Sequence, residues 1–224
     1  MKLTAEKIQG NWVEFLNNIE THITGKRKKQ LLDFYNKYGD RIMMMPASHK
    51  KEYHSAFPGG YVDHVNRVVN VSLSMSSLWK DFGCDMTTFT TEELIFSAIN
   101  HDLGKMGVPD RGLFLLQEHG ISYTFNEMIG IQTHDGLYDS ANDKYLKGYM
   151  PEQKPRTSLP FILHQADMLA ARVEFEIEWL PKFKHPVDTV KKSFTLDNNK
   201  KSTTKNKALS SIQSEGLQNI FNKL

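Results

Sequence analysis

Apolar residues recur at helical spacing along most of this chain, and alternating, strand-like stretches are almost absent. That pattern predicts an all-α fold. The candidate helices are 5–19, 28–38, 61–78, 90–101, 111–118, 124–133 and 160–180. Their apolar faces are explicit. Ile8, Trp12, Phe15, Leu16 and Ile19 line up on the first. Val62, Val65, Val68, Val69 and Leu73 line up on the third, and Leu94, Ile95, Ala98 and Ile99 on the fourth. The last carries Ile162, Leu163, Ala166, Leu169, Ala170, Val173 and Ile177. Thr90, with Glu93 three residues on, is a capping box that starts the fourth helix.

Composition changes after Pro186. Residues 1–187 read as one helical domain, in which 1–26 is an N-terminal helical extension. Residues 188–207, rich in Lys, Ser, Thr and Asn, read as a flexible basic linker. Residues 208–224 form a short amphipathic segment suited to a protein partner. No apolar run approaches the ~20 residues that span a bilayer. The N-terminus has no signal-peptide core, which predicts a cytoplasmic protein. A single cysteine, Cys84, excludes a disulfide framework and a multi-cysteine zinc site; a structural role is expected for it. The net charge of +2 gives little drive toward nucleic acid.

Histidines and carboxylates gather in four segments: GGYVDH around His64, NHDLGK around His101 and Asp102, QTHDG around His134, and HQAD at 164–167. Each lies on or at the end of a predicted helix. Mixed His and carboxylate donors suit a divalent transition metal such as Mn, Fe, Co, Ni or Zn. Adjacent His101 and Asp102 point about 100° apart on a regular helix. Both reach one ion only where the backbone unwinds, which Gly104 permits.

In their order and context these segments resemble the HD-domain superfamily of metal-dependent phosphohydrolases, whose signature is H…HD…D on a helical bundle. FPGGYVDHVNRVV resembles the helix supplying the first His. AINHDLGKMG resembles the HD segment, and ILHQADMLAARVE the late helix supplying the last Asp. The resemblance covers about 28–178 and is nearest to small HD proteins of bacteria and their viruses. It implies metal binding by His64, His101, Asp102 and Asp167, with one or two ions. His134 would be a further metal ligand or a phosphate contact. Members with two ions usually carry more histidines after the HD segment. Here Val108-Pro109-Asp110-Arg111 stands instead, and Asp110 reads best as a helix N-cap.

Asp102 is also a candidate catalytic residue, since Asp102 or Asp167 could orient or deprotonate the metal-activated water, and Lys105, just past the HD pair, is a candidate catalytic and phosphate-binding cation. Arg111, Arg172 and His164 are further substrate-binding candidates. Lys50 and His54 are expected at the surface near the pocket mouth. The Met43-Met44-Met45 run is expected in the core or a pocket wall. His22, His49, His119 and His185 carry no assigned role.

The reaction implied is hydrolysis of a phosphate ester, most simply of a nucleotide. The alternatives are a phosphodiesterase or nuclease acting on RNA, single-stranded DNA or a cyclic nucleotide, a di-iron oxygenase, and a non-catalytic binding protein. Basic residues cluster at 26–29 and in the linker, away from the metal segments, and no aromatic-and-basic stretch resembles a strand-stacking platform. That favours a small phosphorylated substrate over a polynucleotide.

Overall fold

The structure, a computed structural model, describes residues 3–48, 50, 53–106, 111–148, 150–178 and 180. These belong to one unit, Met1–Phe183. The linker at 188–207, the segment at 208–224, and Asp110, His49 and His185 lie outside the described residues.

Among the described residues there are nine α-helices and no strand, so the fold is all-α. They are α1 (Ala5–His22), α2 (Gly25–Lys37), α3 (Gly39–Met43), α4 (Gly60–Asp81), α5 (Thr91–Asn100), α6 (Gly112–Glu118), α7 (Phe125–Thr133), α8 (Asp143–Leu146) and α9 (Leu159–Glu178). None is long and apolar enough to cross a membrane. Short α3 and α8 are additions to the sequence expectation. Both are about one turn long, too short for a periodic signal.

Helix starts follow local chemistry. Thr90 caps α5 through the Glu93 amide, and the Glu93 carboxylate returns to the Thr90 amide. Thr124 and Glu127 repeat the same box at α7. Such caps contribute about 1 kcal/mol each. Burial is the larger effect, about 1.5–3 kcal/mol for each large apolar side chain. α4 buries Val62, Val65, Val68 and Val69. α5 buries Leu94 through Asn100 without interruption, as the innermost helix must. The helices α4, α5, α7 and α9 contact in closed order, α4 to α5, α5 to α7, α7 to α9 and α9 back to α4. α1 packs on α4 and α5, with Phe15 and Ile19 fully buried. Residues 1–26 therefore supply part of the core.

α9 departs from its expected stripe. Leu169 and Ile177 are exposed, whereas Ile162, Leu163, Ala166, Ala170, Glu174 and Glu178 are buried. The helix is rotated so that Glu174 faces α4 and Glu178 the loop at Ser55, where two aliphatic side chains are expected. The methionine run divides as well: Met45 packs on the core and Met44 is exposed. Cys84 is half-buried, its Sγ 3.3 Å from the Ser158 hydroxyl.

The entry to α4 depends on two glycines. Gly59 has φ +84°, a left-handed conformation that favours glycine. A side chain at Gly60 would collide with the Ser55 carbonyl oxygen. The Tyr61 amide donates to the Met45 carbonyl at 3.0 Å, and the Ala47 amide to the Ser55 carbonyl at 3.0 Å. The preceding loop is thereby folded under the first turn of α4, with the His54 ring 4.8 Å from that of His64.

Candidate metal centre

Three helix ends and one mid-helix position converge. His64 lies in the first turns of α4, and His101 and His134 cap the C-termini of α5 and α7. Asp167 comes from the middle of α9. α5 ends at Asn100 and the chain tightens to a 3-10 turn over Leu103–Met106, so His101 and Asp102 face the same space. His64 Nε2 is 3.1 Å from Asp167 Oδ1 and 3.8 Å from Asp102 Oδ2. His101 Nε2 is 3.5 Å from Asp102 Oδ2 and 3.8 Å from Asp167 Oδ1. His134 Nε2 lies 3.5 Å from Asp102 Oδ1. The metal ligands expected from sequence are thus all within one cluster.

The orientation of the rings carries more information than their proximity. His101 Nδ1 donates to the Ala98 carbonyl at 2.7 Å, and His134 Nδ1 to the Ile131 carbonyl at 2.6 Å. A carbonyl only accepts, so both Nδ1 atoms carry the proton and both Nε2 atoms point into the cluster. His64 places Nδ1 on Glu174, 3.1 Å from Oε1. The Nε2 atoms of His64 and His101 are buried and lack a well-formed hydrogen bond. Buried donors or acceptors without partners are rare and need a reason. Nitrogen and carboxylate atoms converging on one space are what a divalent ion would satisfy.

Among the described residues three sets of ligand atoms have the required closeness. His64, His101 and Asp167 hold donor atoms within 4.8 Å of one another, and so do His134, Asp135 and Asp167. Asp167 is common to both. A third such group is His54, His64 and Glu174.

The field is strongly negative and locally compensated. Burial, the largest influence, would raise the Asp102 pKa, but His101 and Lys105 hold it well below the usual carboxylate value. Burial likewise opposes ionisation of Asp167, and hydrogen bonding to His64 with the His101 charge keeps its pKa low. Burial would depress His64, yet Glu174 and Asp167 raise it to about 10. His134 is pushed down by burial and drawn up by Asp102 to about 9. The excess negative charge that draws protons onto these rings is the charge a divalent cation would neutralise.

Lys105 is ion-paired with Asp102 and remains 33% exposed, beside the cluster and open to solvent. His164 is placed differently from expectation. Its Nδ1 donates to the His134 carbonyl at 2.7 Å, and its ring packs so closely on Gly136 that any side chain there would collide. It supports the His134 backbone. Arg172 turns to solvent, 61% exposed and paired with Glu176 at 2.9 Å. Five residues past Asp167, it stands about 140° round the helix. Arg111 is exposed, its guanidinium 6.0 Å from the Phe114 ring centre. Neither arginine makes a contact with the cluster among the described residues.

Four residues that sequence reasoning does not single out, Glu174, Ser55, Arg67 and Asp135, belong to the cluster or its surroundings, and His54 differs from its expected surface position. His54 is largely buried, its Nε2 unpartnered. Burial and the neighbouring His64 lower its pKa to about 4, which keeps it neutral. For Glu174 a signal exists: it lies seven residues, two turns, beyond Asp167 and so shares its face. His54 and Ser55 offer none, because a fold-back loop brings them in.

No protein-family model matches the chain, and no curated protein or solved structure matches it.

Proposed function

We propose that the chain is an HD-domain metal-dependent phosphohydrolase. The observation that carries this reading is the convergence of His64, His101 and Asp167, with Asp102 Oδ2 3.5–3.8 Å from both rings, and two buried imidazole nitrogens without a well-formed hydrogen bond. These four residues would hold the ion, with His134 and Asp135 as ligands where a second is bound. A bound divalent ion supplies a water of lowered pKa and polarises a phosphoryl oxygen.

The protein's own groups take distinct parts. Asp102 and Asp167 have depressed pKa values. A general base works best with a pKa near the operating pH. These carboxylates therefore suit binding the ion and orienting a water by hydrogen bonding, rather than taking its proton. Lys105 combines an ion pair to Asp102 with access to solvent. It can exchange that partner for a phosphate oxygen and stabilise charge as the ester bond breaks.

A small nucleotide is the favoured substrate class. Among the described residues the cation paired with Asp102 is Lys105, enough for one phosphate group, while Arg67 is held by Glu174 and Asp63 and Arg111 and Arg172 point elsewhere. The test is a hydrolysis screen of the full chain with each of Mn, Fe, Co, Ni and Zn. It would cover nucleoside mono-, di- and triphosphates, cyclic nucleotides and short oligonucleotides. Release of phosphate or pyrophosphate from nucleotides is expected. Cleavage of oligonucleotides alone would move the assignment to a phosphodiesterase. Inactivity on every phosphate ester with metal bound would overturn it.

A further inference from the structure

Glu174 is the most buried carboxylate near the cluster, 1% exposed, and a carboxylate in that setting has to be used. It is surrounded by donors. His64 Nδ1 lies 3.1 and 3.3 Å from its two oxygens, the Ser55 hydroxyl donates at 2.8 Å, and Arg67 Nε donates at 3.2 Å. The support extends outward. Arg67 pairs with Asp63 at 3.5 Å, and Asp63 accepts from Asn11 Nδ2 of α1 at 2.8 Å. Ser55 has φ +47°, a conformation costing a non-glycine residue about 1–3 kcal/mol. The fold sustains that strain where the serine reaches Glu174.

His101 and His134 have their tautomers fixed by carbonyls three residues earlier on their own helices. His64 does not use that device: its Nδ1 is turned to Glu174 on α9. The geometry points to Glu174 as the positioning residue for the metal ligand His64: it holds the proton on Nδ1 and aims Nε2 at the space shared with Asp167 and Asp102. Glu174 engages one ring nitrogen, and the other faces the carboxylates, 3.1 Å from Asp167 Oδ1 without a well-formed hydrogen bond. Ligating histidines characteristically give their second N–H to such an acceptor, and losing it weakens the metal about 10- to 100-fold.

The inference rests on the metal-centre reading, and the experiment separates the two. Full-length wild type, Glu174→Gln and Glu174→Asp are titrated calorimetrically with Zn(II) in the absence of substrate. Thermal melts confirm that each is folded. Glutamine preserves shape but lets an amide N–H face the ring, so zinc affinity should fall about 10- to 100-fold. Aspartate keeps the acceptor and should recover part of the loss. Nitrogen-15 shifts of the zinc-loaded wild type should show His64 protonated at Nδ1 and metal-bound at Nε2. Zinc affinity of Glu174→Gln within twofold of wild type would overturn the assignment. If that variant does not fold, the wild-type spectrum decides, and a His64 with bare Nδ1 overturns it equally. Wild type that binds no zinc removes the metal centre itself, and this inference with it, before any variant is compared.

Discussion

Two charge networks, each around a buried carboxylate, occupy opposite ends of α5, and they are finished differently. At its N-terminal side Arg27 reaches Glu127 at 2.7 Å, pairs with Glu92, and lies over the Phe96 ring, 4.5 Å from its centre. Thr24, Thr90, Thr124 and Asn126 satisfy the remaining carboxylate oxygens of Glu92, Glu93 and Glu127. At the C-terminal side, the Nε2 atoms of His64 and His101 lie among carboxylates without a well-formed hydrogen bond. The first network stitches α2 to α5 and α7. The second is incomplete in protein atoms alone. Under the proposed function, completeness separates a structural network from one that receives a ligand, although each holds a buried carboxylate.

The largest expected effect belongs to the incomplete network. Asp102→Ala should lower zinc affinity by more than about a hundredfold and abolish hydrolysis, while circular dichroism stays helical. Wild-type metal content in that variant would erase the distinction between the networks. Arg27→Ala tests the other side. It leaves Glu127 buried with its charge uncompensated, which costs about 3–5 kcal/mol, read as a lower urea midpoint. Zinc affinity of the folded protein should stay unchanged.

Acidity gives a third discriminator. In chelator-treated protein, His64 and His134 hold protons with pKa raised from 6.5 to about 10 and about 9. A raised folded-state pKa favours the folded state below the ordinary value. That contribution is complete below about pH 6.5 and is lost as pH rises through 9 and then 10. Denaturant melts of the chelator-treated protein should thus weaken over this window, and His134→Ala should flatten the part near pH 9. With zinc present the direction reverses, since binding displaces those protons and tightens as pH rises.

Smaller effects remain. Thr90→Ala removes one side of a capping box and should cost about 1 kcal/mol with no change in metal binding. Arg172→Ala, which breaks only an exposed pair with Glu176, should shift stability by less than about 0.5 kcal/mol. A loss of turnover there would show that α9 presents another face to substrate.

What is legible in the sequence follows the same division. The capping boxes, the apolar faces of α4 and α5, and the adjacency of His101, Asp102 and Lys105 are all relations within a few residues. Spacing along the chain is enough to reveal them. The placement of Arg172 away from Asp167 follows from helical arithmetic. Spacing puts Glu174 on the face of Asp167, but its burial is not legible, because a charged residue on an apolar helix reads as solvent-facing until the helix is docked. His54 and Ser55 depend on a loop reversed by Gly59 and Gly60. The buried pairing of Arg27 with Glu127 spans 100 positions, and no local pattern announces it.

The three histidines also differ in when they become competent. His101 and His134 acquire their tautomer as soon as the last turns of α5 and α7 form, since the acceptors are carbonyls of the same helices. His64 acquires its own only when α9 has closed on α4 and delivered Glu174. On the proposed reading, ligation by His64 would report on tertiary closure, and a bound ion would latch the α4–α9 seam. Anything that binds only the closed form lowers the population of the open form by mass action. Amide hydrogens of α9 should exchange more slowly as zinc is added, in proportion to its saturation of the site, whereas those of α2 should follow only global unfolding.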